Sequence, residues 1–433
     1  MNRNAQMKVR TPCGDTETFN IEKVVKQGTI FGPMLCCSST TKINELGEPT
    51  GMTVAPNAEV DSLIYVDDIS MAGRMTDVER VGHKLQIMED EKKFTFNIDK
   101  GKTSYMIVKS GKDTNQEPII KLRKGKVEKT NEYNYLGNWL PESGKIERQI
   151  EELEKKKNLF TTEVMRIAKE DQLGIMSTEA RVLIYEKTVV PTLTHNLECW
   201  TNIEEKNFQR LEKLQGGILK AILRLPTTTP YWGIIKELGI WPIRQKIQYH
   251  RLMLYENMMK SDDNRLGKIV IQGQKKLEWR DNWYHKTEEL ARKIGVDIDQ
   301  AEEMTTEAWK KIVKKKLKER VERDWEENQE GKKKTRHQIG QQFERKEYIK
   351  EMGVSEASKT MRRRLEMIDI GNNFGKGRLC ECGEKETTEH IFKCLEGTEN
   401  LEMEWIRETN DIEKIRKVNY FLEGIIEQRQ EQK

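Results

Sequence analysis

The hydrophobic period changes at about Lys145, and this change limits the fold more than any other feature of the chain. Before it, short apolar runs alternate with turn signals, as strands and hairpins do; after it, apolar residues recur at three- and four-residue intervals, as on helices. The combination predicts an α+β fold with a mostly helical remainder. Strands are expected at Ser62 to Val66, Tyr105 to Val108, Ile119 to Leu122 and Tyr133 to Leu136. One helix is expected between the first two. Thr76 and Glu79 form a capping-box pattern there, and Val78, Val81, Leu85 and Met88 follow at helical spacing. Further on, Ile203 to Leu225 puts Phe208, Leu211, Leu214, Ile218 and Ile222 on one face before Pro226 and Pro230 close it. Pro191 is expected to interrupt a helix running from Thr178 to Val190.

A length of 433 residues predicts two or three domains. With 36% hydrophobic and 34% charged residues, a core is within reach but the surface must be strongly ionic. A net charge of only +4 means that an anionic partner would be held by local Lys and Arg clusters, not by the global field. No apolar stretch approaches the roughly 20 residues that span a bilayer, and the first residues carry no apolar signal segment; no membrane partner is expected. Cys13, Cys36, Cys37 and Cys199 show no framework spacing, which fits a reducing compartment, nuclear or cytoplasmic.

The run Leu63-Ile64-Tyr65-Val66-Asp67-Asp68-Ile69-Ser70 reads as an apolar strand ending in two adjacent acids. Such a pair at a hairpin tip offers hard oxygen ligands to divalent cations. Two metals about 3.5–4 Å apart can activate a 3′-hydroxyl and stabilise a leaving pyrophosphate. The alternative is a hairpin turn that uses Asp only for its turn chemistry.

Three further runs stand in order around it. Upstream is Lys26-Gln27-Gly28-Thr29-Ile30-Phe31-Gly32-Pro33, opening a helix-like run through Ile43. Downstream are Phe94-Thr95-Phe96-Asn97-Ile98-Asp99-Lys100-Gly101-Lys102-Thr103 and Glu132-Tyr133-Asn134-Tyr135-Leu136-Gly137. The order Gln-Gly-x4-Pro, Tyr-x-Asp-Asp, Asn-x4-Lys-Thr, Tyr-Leu-Gly resembles the successive palm motifs of reverse transcriptases, in the wording of the non-LTR retrotransposon branch. The resemblance implies that Asp67 and Asp68 bind Mg2+, that Tyr65 packs near the primer terminus, and that Gln27 and Gly28 lie against template and incoming nucleotide. Lys102 would approach the triphosphate, where a cation neutralises charge or donates a proton. Tyr135, Leu136 and Gly137 would contact the primer backbone. The partners implied are an RNA template, a DNA primer or target, and dNTPs, in a ribonucleoprotein.

The same resemblance divides the chain into a partial palm of antiparallel sheet and helices (1–140), a helical thumb (141–260), a charged helical region (261–370), a zinc-knuckle-like motif (371–400) and a tail (401–433). Members of this family carry another aspartate on an earlier strand, in a run resembling Phe-x-Asp-x-x-x-Ala-Phe-Asp. Only 26 residues precede Gln27, and their acids Asp15, Glu17 and Glu22 follow Pro12 and Gly14, a turn setting. The expectation is a fragment lacking the fingers and the first aspartate, and so inert in polymerisation by itself. The rival from another class is a non-catalytic nucleic-acid-binding protein derived from such an element.

Near the end, Cys380, Cys382, His390 and Cys394 form a Cys-x-Cys…His-x3-Cys pattern. Three thiolates and one imidazole satisfy tetrahedral Zn2+, a helix would present His390 and Cys394 on one face, and Gly383 suits the turn. The alternative is three reduced cysteines beside an ordinary histidine. Many non-LTR reverse transcriptases end in a similar knuckle, approached by a stretch like Arg362-Arg363-Arg364 with Asn373-Phe374. The lysine clusters between Lys310 and Arg336 alternate with Glu319, Glu322, Glu326 and Glu327; they track a phosphate backbone or form a solvated helical face. Trp200, Trp232 and Trp241 stack on bases or, as is commoner, pack between helices.

Overall fold

The computed structural model describes residues 5–21, 34, 51–55, 58–92, 95–99, 101–108, 117–169, 177–329, 343–368, 377, 379–380, 382–387, 390–391, 394 and 409–431. The fold is α+β, with helix predominant and the strands gathered into small sheets. It divides into two compact units, Met1–Gly144 with Ile269–Lys276, and Lys145–Lys268 with Leu277–Lys433. No helix among the described residues is long and apolar enough to cross a membrane.

In the first unit the described strands form seven two-stranded ladders, six antiparallel and one parallel, not one continuous sheet. The expected strands exist, three of them shorter and the fourth shifted by one residue. Ser62–Tyr65 stops before Val66, Glu132–Tyr135 stops before Leu136, and the other two shrink to Ser104–Tyr105 and Lys121–Leu122. Val66 and Leu136 take positive φ, 58° and 49°, and so become turn residues. Helix Val78–Lys92 presents Val78, Val81, Leu85 and Met88, the face expected from their spacing, to Ile64, Ile69, Ile120, Leu122 and Val127. It opens differently from the expectation. A 3-10 turn, Met75–Asp77, precedes it, so Thr76 lies inside a turn instead of capping the helix.

Two buried charges lock that helix to the strands. Lys84, 1% exposed, meets Asp61 Oδ2 at 2.5 Å, just before the Ser62–Tyr65 strand. Glu89, fully buried, accepts from the backbone N–H of Arg123 at 2.8 Å and of Phe96 at 3.4 Å. Hydrogen bonds to a charged group are worth about 1.5–3 kcal/mol each, so one carboxylate pins two loops.

The second unit is helical, and its core runs from Ile146 to Ile415. Helix Glu205–Ile222 buries Leu211, Leu214, Ile218 and Ile222, with Phe208 half-buried beside them. Its closing residue Arg224 takes φ 56°, two residues before Pro226. Pro191 does not interrupt the preceding helix. Thr178–Ile184 continues through a π turn, Tyr185–Val189, into Val190–Thr194; widening the turn accommodates the missing N–H. The highly charged stretch beyond residue 262 shares the same core, through Val321, Phe343, Tyr348, Ile349, Met352, Met361, Leu365 and Ile415. Helix Thr306–Gln329 buries one residue in every four, namely Trp309, Val313, Leu317, Val321 and Trp325, each at most 1% exposed. Trp200, Trp232 and Trp241 pack against the core, as interhelix residues do.

Candidate active site and metal centre

The carboxylate pair sits at the tip of a tight hairpin. Ser62–Tyr65 pairs with Asp68–Met71, Tyr65 facing Asp68 and Ile64 facing Ile69. Directly opposed residues share a face, so Ile64 and Ile69 look into the core while Tyr65 and Asp68 share the outer face. Tyr65, Asp67 and Asp68 are all exposed. Positive φ at Val66 alone of the two turn residues is the mark of a type II′ turn. Glycine is the usual residue there; a β-branched side chain stores strain of about 1–3 kcal/mol. That strain fixes where the two acids stand. Neither carboxylate has an ion-pair or hydrogen-bond partner among the described residues. Among the described residues no third histidine, cysteine or carboxylate joins them there into a group of three.

A second hairpin, Glu132–Tyr135 with Asn138–Pro141, turns through Leu136 and Gly137, both at positive φ. Tyr133 and Tyr135, two apart on one strand, share a face. Burial first, and then the charge of Asp68, raises the Tyr133 phenol above its ordinary range; burial, Asp68 and Tyr133, in that order, raise Tyr135. Tyr133 Oη also donates to the backbone carbonyl of Lys102 at 3.0 Å. Lys102 caps a compact loop in which Asn97 Oδ1 accepts from Asp99 N at 2.9 Å, Asp99 O from Lys102 N at 2.9 Å, and Asn97 O from Thr103 N at 3.0 Å. Gly101 takes the positive φ, 81°, that the loop needs. Two runs separated in sequence are therefore tied together directly, Asn-x4-Lys-Thr and Tyr-Leu-Gly. Tyr133 was not singled out from the sequence, because its bond to residue 102 is a product of folding. Gln27 and Gly28 lie outside the described residues. Asp15 belongs to a two-residue ladder, Arg10–Thr11 with Gly14–Asp15, where it is exposed and pairs with Arg10 at 3.3 Å.

The Cys/His residues gather in the second unit. The ligand atoms of Cys380, Cys382, His390 and Cys394 all lie within 4.8 Å of one another. Cys380 and Cys394 sulfurs are 3.8 Å apart, and Cys382 Sγ is 3.2 Å from His390 Nε2. The chain turns back between Leu379 and Lys385, which form an isolated antiparallel bridge, with Gly383 at φ 87° and Gly383 N donating to Cys380 O at 2.8 Å. His390, Ile391 and Cys394 are helical, and Thr387 Oγ1 accepts from His390 N at 3.1 Å. Glu384 Oε2 lies 3.5 Å from His390 Nδ1, leaving Nε2 for a metal in the manner of carboxylate–histidine–metal triads. The backbone N–H of Glu384 lowers the Cys382 thiol, while hydrogen bonding from Cys382 and then Cys380 pushes Cys394 up to about 12. Three thiols this close cannot all ionise without a cation between them. The cluster could hold a metal ion such as zinc.

Two of the three arginines in the triplet are internal. Arg364 is fully buried and Arg363 is 1% exposed, while Arg362 Nη2 donates to Arg224 O at 2.7 Å. Burial lowers Arg363 to about 9. These residues bind their own helices together. Asn373 and Phe374 lie outside the described residues.

No protein-family model matches the chain, and no curated protein matches it.

Proposed function

We propose that the chain carries the later palm motifs, the thumb and a zinc-binding tail of a non-LTR retrotransposon reverse transcriptase, an RNA-directed DNA polymerase. The observations that support this reading are the exposed Asp67-Asp68 hairpin tip and the bond from Tyr133 Oη to the backbone carbonyl of Lys102, which ties two of the later motifs together. A chance Asp-Asp turn has no reason to be followed by two further motifs in the family's order, themselves joined by a hydrogen bond.

In this reading Asp67 and Asp68 hold Mg2+, which supplies activation of the primer 3′-hydroxyl and charge neutralisation at the triphosphate. The rigid II′ turn sets the direction of both carboxylates. Lys102, exposed at its loop tip, meets triphosphate oxygens. Tyr65 on the outer face and the Tyr135-Leu136-Gly137 turn take the primer end and its backbone. The partners are RNA template, DNA primer and dNTP, in a nuclear or cytoplasmic ribonucleoprotein, and Zn2+ closes the Cys/His cluster. Catalysis in this manner needs a third carboxylate, so extension is expected only where one is supplied. The second reading, nucleic-acid binding without chemistry, is favoured by the lack of a third ligand beside Asp67 and Asp68 among the described residues.

Iron-mediated backbone cleavage separates the two. With Fe2+ in place of Mg2+ and a reductant, the catalytic reading expects cuts near residues 65–68 and 133–135, suppressed by Mg2+ and lost in Asp67→Asn, Asp68→Asn. Uniform or absent cleavage there would abandon the metal site. Primer extension on an RNA template is the companion assay, and any activity must vanish in the same variant.

A further inference from the structure

Four helices of the second unit, Glu205–Ile222, Ile243–Met259, Trp283–Ile294 and Thr306–Gln329, line a cleft of about 810 Å3. Small-molecule sites span roughly 300–1,000 Å3. Two consecutive residues in its wall, Arg244 and Gln245, each meet an acid from a neighbouring helix. Arg244 Nε donates to Glu212 Oε1 at 2.9 Å, and Gln245 Nε2 donates to Asp324 Oδ2 at 2.8 Å. Arg244 is also shared with Glu205, whose two oxygens it holds at 2.6 Å each. Arg320 Nε takes the other oxygen of Asp324 at 2.7 Å. Two acceptors are left over. Glu212 Oε2 has no donor among the described residues. Gln245 is 1% exposed, and its Oε1 has no hydrogen-bond partner.

Turning the Gln245 amide over does not cure this. An ionised carboxylate only accepts, so the amide nitrogen must stay on Asp324 and the oxygen must stay bare. A buried acceptor without a donor costs about 1–3 kcal/mol, which a ligand's donor would offset. Burial raises the Glu212 carboxyl, and Arg244 offsets only part of that; Glu205 and Asp324 push in the same direction as burial. Burial likewise raises Asp324 in spite of Arg320. Both acids are thus short of positive charge although each has an arginine. A bare divalent ion is a poor occupant, since it takes about six or more oxygen ligands and the bare oxygens here are one carboxylate and one amide. Trp232 stands in the wall as well, and the face of an indole attracts organic cations.

We infer that this cleft binds a small organic cation, a primary ammonium on an apolar stem whose head donates to Glu212 Oε2 and Gln245 Oε1. The ammonium supplies the donors that both oxygens lack and the positive charge that the acids lack. Its stem meets the apolar part of the wall, Ile203, Trp232 and Leu290. Asp67 and Asp68 belong to the other unit and take no part.

The test is calorimetric titration of the whole chain at neutral pH with 1-aminopentane, which is cationic there, and with 1-pentanol, which has the same stem and no charge. The amine is expected to bind at least about tenfold more tightly than the alcohol, as hydrogen bonds to a charged group allow. Glu212→Gln should bring the two within about twofold of each other. Gln245→Met keeps every charge and removes the bare acceptor; it should weaken the amine by about three- to tenfold, and it covers the case in which Glu212→Gln loosens the fold. Glu163→Gln, an equal loss of charge at a pair with Arg166, should leave the amine within about twofold of its original affinity. Equal binding of amine and alcohol to the unaltered chain, an undiminished preference in both cleft variants, or displacement of the amine by an equal concentration of Mg2+ would overturn the inference. Asp67→Asn, Asp68→Asn should leave this binding intact, so failure here and failure of the polymerase reading are distinct results.

Discussion

Arg364 Nε donates to Glu237 Oε2 at 2.9 Å, with neither side chain exposed to solvent. Tyr348 Oη donates to the same oxygen at 2.9 Å. Three helices, Tyr231–Leu238, Glu347–Glu351 and Val354–Arg364, thus meet at one carboxylate. Removing one partner strands a buried charge, which costs about 3–5 kcal/mol. Arg364→Met is therefore expected to destabilise the helical unit by that amount in urea titration. Arg364→Met with Glu237→Leu should recover part of it, since the paired charges then leave together while Tyr348 Oη and the buried Lys346 and Arg363 lose the carboxylate.

The same carboxylate makes stability fall in acid. Burial alone would raise the Glu237 pKa, but the charge of Arg364, its hydrogen bond and that of Tyr348 outweigh burial and hold it below the ordinary value. Below an ordinary glutamate pKa of about 4.3 the unfolded chain takes up this proton before the folded one does. The contribution is then complete above that pH and is lost as pH falls through the lower, folded value. Unfolding free energy measured between pH 3 and pH 6 should drop towards acid, and Glu237→Gln should flatten part of that drop.

Purified protein should contain one zinc per chain by elemental analysis, lost on Cys382→Ser or Cys394→Ser. Glu384→Gln leaves all four ligands but removes the negative charge beside His390 Nδ1, and should weaken zinc about tenfold in a competition with a chromophoric chelator. Equal zinc affinity in that variant would show that the carboxylate does not orient the ring.

Val66→Gly relieves the positive φ of 58° and should raise the stability of the first unit by about 1 kcal/mol, strain relief exceeding the entropy cost of glycine. An unchanged or lower midpoint in urea would mean that the side chain's packing outweighs the strain.

Local periodicity made part of this molecule legible in advance. Val78, Val81, Leu85 and Met88 sit on one helical face because four-residue spacing needs no knowledge of the partner, and the same holds for Leu211, Leu214, Ile218 and Ile222. The four Cys/His residues were legible from chemistry, as few other patterns bring three thiols and an imidazole together. What escaped depends on long-range partners. Arg363 and Arg364 look like surface charge until Glu237, more than a hundred residues earlier, is found beneath them. Pro191 looks like a break because a π turn leaves no mark in composition. The charged run after residue 262 hides a core helix, since Lys and Glu outnumber its buried residues along its length.

That helix has a further property. Side chains four apart advance by about 40° beyond a full turn at each step, so a stripe of five winds roughly 160° around the axis. Its two ends face different neighbours: Trp309 Nε1 donates to Leu252 O at 3.3 Å, and the Trp325 ring lies under Lys236 Nζ at 4.7 Å. Bulky indoles at both extremities, with Val313, Leu317 and Val321 between them, give the segment the outline of a dumbbell. Sliding it by one turn in either direction would drive an indole into a slot shaped for valine, so axial creep is blocked by volume alone.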